Sequence, residues 1–220
     1  VTGVQTCALP ICLNKWNVSS VTTMERMFQG AYGFNQPLEG WNVSKVTNMR
    51  SMFKCAYSFN QPLNKWDVSS VTTMEAMFCY ARNFNQCLNK WNVSSVTNMG
   101  LMFCYASVFN QPLEGWDVSK VTNMGWMFEG AKVFNRPIGD WNVSSVTNME
   151  SMFCGAHSFN QPLNKWDVSS VTTMKNMFYG ARSSFNQPLE SEEGGWNVTN
   201  KRKNEEEGSS LNKKIGRAHV

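Results

Sequence analysis

Histidine is nearly absent from this sequence, with two in 220 residues. His157, inside the regular part of the chain, replaces residues such as Tyr57 and Ser107 at a variable position, which suits a solvated surface side chain better than a general base. No G-x-S-x-G, phosphate-loop or dinucleotide fingerprint occurs. Seven cysteines form no C-x-x-C pair and no Cys/His spacing suited to zinc. The expectation is a chain that is not an enzyme and carries no metal or cofactor. No apolar run approaches the roughly 18 to 20 residues a bilayer span requires, so this segment is not expected to insert into a membrane. The net charge of +4 comes from scattered Lys and Arg, without the basic stripe of a nucleic-acid binder.

What the chain has instead is repetition. Trp16, Trp41, Trp66, Trp91, Trp116, Trp141 and Trp166 are each 25 residues apart, and Trp196 opens an eighth copy after a longer gap. A period of this length signals a solenoid, in which each unit buries its apolar face only against its neighbours.

Within one unit, Leu63, Trp66 and Val68 form L-x-x-W-x-V, whose alternation predicts a short strand with Asp67 and Ser69 facing outward. Copies of such a strand can pair only in parallel, about 4.8 Å apart. Val71, Met74, Met77, Phe78 and Ala81 then follow at spacings of three, three, one and three, which predicts a short helix from near Met74, capped by Ser69 or Ser70. Ala recurs at the Ala81 position, where a small side chain allows close approach of helix to sheet. The fourteen methionines fill two columns and read as core filler. In F-N-Q-P-L the proline ends the helix. The Asn column, Asn35, Asn60, Asn85, Asn110, Asn135, Asn160 and Asn186, predicts a ladder of side chains bonding the backbone of adjacent turns. Cys79 and Cys104 hold equivalent sites in adjacent repeats, within disulfide reach if the units stack. Small side chains at a tolerant site are the reading adopted.

The recurring W-[ND]-V-[ST]-x-V-T-x-M-x-x-M-F-x-x-A-x-x-F-N-Q-P-L resembles the repeat of BspA-like leucine-rich-repeat surface proteins. Within these it is most similar to a tryptophan-containing unit found in bacterial lipoproteins and catalogued as a domain of unknown function. The resemblance covers about residues 13–200. It implies a leucine-rich-repeat-like α/β solenoid of seven to eight 25-residue repeats, each with one short parallel strand and one short helix. It further implies a place at the cell surface or outside the cell, with roles in adhesion and protein binding and no catalytic residues.

The ends depart from the pattern. Residues 1–12 and 215–220 resemble the translation of a short-read sequencing adapter and carry no export signal, so Cys7, His219 and, in part, Cys12 bear no chemical weight. Between them the repeat array occupies 13–200, and 201–214, K-R-K-N-E-E-E-G-S-S with its flanks, reads as a polar disordered tail or a frame error.

The polar outer face of the strands is the binding surface expected from sequence. Its row runs Asn42 and Ser44, Asp67 and Ser69, Asn92 and Ser94, Asp117 and Ser119, Asn142 and Ser144, Asp167 and Ser169. Asn units alternate with Asp units, which separates carboxylates that would otherwise repel. The expected function is a non-catalytic module of a monomeric array binding a protein or glycan ligand through this row. The competing expectation is a passive spacer within a larger protein.

Overall fold

The computed structural model describes residues 13–181 and 185–189 together with Trp196. The expectations for 1–12, 201–214 and 215–220 lie outside the described residues, as does 190–195 in the longer gap before Trp196.

Each 25-residue unit is a coil made of successive tight turns. In the coil from Leu63, the amides of Trp66, Val71, Met77, Ala81 and Phe84 donate to the carbonyls of Leu63, Val68, Met74, Phe78 and Ala81, at 2.9–3.1 Å. Every one of these turns is bracketed by two buried apolar side chains. The spacing of three that predicts a helix is therefore the spacing of turn-closing pairs. A turn that holds its third residue in the left-handed region matches the type II pattern, and Ala76 and Tyr80 sit there at φ 54° and 59°.

The expected α/β solenoid, with a strand and a helix in each repeat, is not what forms. Among the described residues the one helical element is a 3-10 turn at Leu13–Lys15. A helix from Met74 would need each amide to bond four residues back. Instead the amides of Met74, Ala76, Phe78 and Tyr80 leave the coil for the carbonyls of Asn98, Gly100, Met102 and Cys104, at 2.7–3.0 Å. Ser69 and Ser70 accordingly cap no helix. The strand fails for a related reason. Turns closing at Trp66 and starting at Val68 leave one residue between them, too few for a ladder. Parallel pairing survives only as isolated bridges, from Thr23↔Asn48 to Asn148↔Thr173, and no sheet forms among the described residues. The predicted alternation does hold: Trp66 and Val68 are buried, Asp67 is exposed and Ser69 half-buried.

Stacking the coils aligns like with like. The Phe28 column, through Phe53 and Phe78 to Phe178, stacks at 5.5–5.8 Å between centroids. The Phe34 column, through Phe59 to Phe185, does so at 5.8–6.1 Å. Methionines fill the core in both columns, Met27 apart. Polar ladders tie the same stack. The indoles of Trp41, Trp66, Trp91, Trp116, Trp141 and Trp166 each donate Nε1–H to the carbonyl 28 residues earlier, as Trp116 does to Leu88 at 3.1 Å, and Trp196 donates to Leu163. The predicted Asn ladder is present: the Asn60, Asn85, Asn110, Asn135, Asn160 and Asn186 amides donate to the preceding Asn Oδ1 at 2.9–3.1 Å. Gln86 adds its Nε2–H to the Asn60 side chain at 3.0 Å.

Two stability outcomes follow from this construction. The Leu88 carbonyl also accepts from the Trp91 amide, so Trp116→Ala orphans no acceptor and its cost is that of a cavity, about 3–5 kcal/mol by denaturant titration. A loss under about 1 kcal/mol would place that ring outside the core. At the second left-handed position of each unit, Cys55→Gly relieves a strained side chain and is expected to raise stability by up to about 1 kcal/mol. Gly155→Ala at the equivalent site should lower it by a similar amount, for strain alone, since its Cβ meets nothing nearer than Gly130 at 3.9 Å. Equal signs for the two variants would refute the conformational account.

Candidate binding surface

The sequence-predicted row lies outward along the stack, with its Asn and Asp exposed and its Ser half-buried, Ser169 being exposed as well. One oxygen of each Asn or Asp, however, is engaged within its own unit. Asn42 Oδ1 accepts from the Ser44 amide at 3.1 Å and from its hydroxyl at 2.7 Å. The Ser69, Ser94, Ser119, Ser144 and Ser169 amides donate likewise to Asp67, Asn92, Asp117, Asn142 and Asp167, at 3.0–3.2 Å. These are Asx turns, in which the side chain mimics a backbone turn. The hydroxyl and amide of Ser69 and Ser119, and the amide and hydroxyl of Ser169, hold the three carboxyls below the ordinary Asp value. The row thus bends the chain between two core residues, and it presents nearly the same chemistry in every coil.

Different side chains gather along the edge formed by the later turns, at the positions of 25–26, 29–30 and 32–33 in each unit. The widest range of side chains from unit to unit falls here, with further substitutions at the positions of 39–40, 42, 45 and 48 in each unit. Tyr32 is exposed and stacks on Tyr57 at 4.9 Å, and the Arg82 guanidinium covers the Tyr57 ring at 4.6 Å. Tyr80 stacks on Tyr105 at 4.7 Å, and the Tyr105 hydroxyl donates to Glu129 Oε1 at 3.4 Å. Gly130 leaves room for this pair, because a Cβ there would lie 2.5 Å from the Tyr105 ring. Val108 and Val133 are exposed as well. Arg50 bridges Glu25 at 3.7 Å and Glu75 at 3.3 Å across three coils. Sequence reasoning passed over this edge because it followed what repeats. The signal available was the opposite one, the few columns that vary.

Among the described residues no three His, Cys, Asp or Glu side chains converge to hold a metal ion. His157 is exposed. Cys87, at the column otherwise held mainly by proline, donates its thiol to Asn89 Oδ1 at 3.0 Å.

A family profile described as "Mycoplasma protein of unknown function, DUF285" matches residues 4–116 and again 102–217. No curated protein and no solved structure matches the chain.

Substituting Asn at Asp67, Asp117 and Asp167 together should keep all three turns, as Asn42 and Asn142 do, and change stability by under about 0.5 kcal/mol at neutral pH. The acid limb should differ. A carboxyl held below its ordinary value of 3.8 stabilises the fold above that value, and the contribution disappears as pH falls through the lower folded value. The melting temperature of the parent therefore falls below about pH 3.8 more steeply than that of the triple variant. A steeper limb in the variant would show that the Asx turns do not favour the charged form.

Proposed function

We propose, for a chain that belongs to this family, that its array is a non-catalytic protein-binding module engaging its partner through the variable turn edge. The observation that carries the reading is that the widest unit-to-unit variation falls on that edge, on a frame otherwise largely repeated. A surface that tells one partner from another needs side chains that differ along its length, and extended repeat arrays offer such surfaces. The edge also has the composition of binding hot spots, with Tyr, Trp126 and Arg82 held on a rigid backbone. Stacked rings lose little freedom on binding, which lowers the entropic cost of association. The Asx–Ser row, spent on local turns and nearly uniform, is the weaker choice. The reading includes display at the cell surface, as the BspA-like resemblance implies.

A second reading, a passive spacer, is favoured by one observation: the uniform ladders make any number of units structurally equivalent. The two separate by experiment. The purified array is presented to a panel of immobilised secreted and matrix proteins and to a glycan array. For a protein that binds, Tyr57→Ser, Arg82→Ser and Tyr105→Ser combined should weaken affinity at least about tenfold with circular dichroism unchanged. Asp67→Lys, Asp117→Lys and Asp167→Lys combined should leave it within about threefold. The reverse pattern would return the site to the row. No binding to the panel, with function in cells unaffected by deleting one unit, would leave the spacer.

A further inference from the structure

The column at position 29 of each unit runs Gln29, Lys54, Cys79, Cys104, Glu129 and Cys154, and its two consecutive thiols lie in neighbouring coils. We propose that Cys79 and Cys104 are a redox-active pair that a small hydroperoxide closes into a disulfide, clamping those coils together beside the turn edge. The inference does not depend on any ligand of the array.

Three features of the geometry carry it. Both residues are buried, at 3% and 2% exposure, in a small cluster with Ala76 that also packs against Tyr80 and Leu101. The backbones run side by side, since the Tyr80 amide donates to the Cys104 carbonyl at 2.7 Å. Coils bonded in this way lie about 4.8 Å apart, inside the range of Cα separations that a disulfide spans. The two side chains pack in that same cluster, and both thiols are free.

The surroundings make the pair unequal. The hydrogen bond from Cys104, helped by the Lys54 charge on the preceding coil, favours the Cys79 thiolate over the opposition of burial. The same contact, with burial and the Glu129 carboxylate on the following coil, holds the Cys104 proton in place. Glu129 Oε2 lies 3.5 Å from the Cys104 Sγ. Cys79 is therefore the nucleophile and Cys104 the resolving thiol.

The chemistry balances with one peroxide. The Cys79 thiolate attacks one peroxide oxygen, the O–O bond breaks, and the departing hydroxide takes a proton to become water, leaving a sulfenic acid. The Cys104 sulfur then attacks the Cys79 Sγ. Its proton passes by way of Glu129 to the leaving hydroxyl, which departs as a second water as the S–S bond forms. Two thiols give up two electrons and two protons, and the peroxide is reduced to two waters.

The test uses the full chain treated with hydrogen peroxide, quenched, and digested with trypsin without reductant. Cleavage after Lys65, Arg82, Lys90 and Lys120 puts Cys79, Cys87 and Cys104 on three separate peptides. The expected product joins 66–82 to 91–120, two hydrogens lighter than their sum and split again by a thiol reductant. Closing a loop of this size should raise the melting temperature by roughly 5–10 °C, reversibly. Cys79→Ser should abolish both effects. Should that variant fail to fold, Cys104→Glu, which copies the Glu129 column residue, serves the same purpose. Oxidation at Cys87 without the 66–82 to 91–120 link, or a link from Cys79 to Cys55 instead, would overturn the proposal.

Discussion

The structure depends on where alternate amides go. In the stretch from Met74 to Tyr80, every second N–H turns out of its coil to a carbonyl of the next. The intervening amides of Met77 and Cys79 close turns on their own coil. That division requires left-handed residues four positions apart; the chain adopts the first of each pair without glycine, as at Arg26, Ser51, Leu101 and Trp126, and the second at Gly30, Cys55, Tyr105 and Gly130. Each such residue other than glycine costs on the order of 1–2 kcal/mol. The cost is met by satisfying a full set of backbone groups in a coil that has neither helix nor sheet to satisfy them. Core packing follows from the same choice, since the turns bring Met74, Met77, Phe78 and Ala81 inward together.

How much of this was legible in the sequence is clearest at particular columns. The period, the inward Trp66 and Val68, the core methionines and the Asn ladder follow from spacing and residue type, and each is present. The helix was misread because Met74, Met77 and Ala81 satisfy two templates at once. A helix face and a chain of i, i+3 turns both place apolar residues three apart. Gly30, Gly130, Gly155 and Gly180 at one column hinted at turns, but Cys55, Tyr80 and Tyr105 at the same column hid the requirement for positive φ. The strand was misread because in–out alternation does not require a ladder. Asp67 faces outward inside a turn as readily as it would in a strand.

The candidate surface was legible only in part, and for a related reason. The outward position of Asn42, Asp67 and their equivalents is correct, yet a side chain's direction does not reveal that Ser44 or Ser69 already engages it. The pairing of Tyr57 with Arg82, or of Tyr80 with Tyr105, needs coils in register 25 residues apart and turns that carry both rings to one edge. The repeat supplies the register. The turns themselves were hidden behind the helix pattern.

The indole ladder has a mechanical consequence. Because each Trp reaches only the preceding unit, as Trp91 does to Leu63, a pull applied along the chain is borne in series, coil after coil. Loss of one terminal coil exposes the next with an equivalent set of bonds to break, so resistance renews itself at each step. A released unit of 25 residues pays out roughly 85 Å of extended chain. An array built this way yields in instalments under tension and can shorten again by rewinding onto the coils that remain.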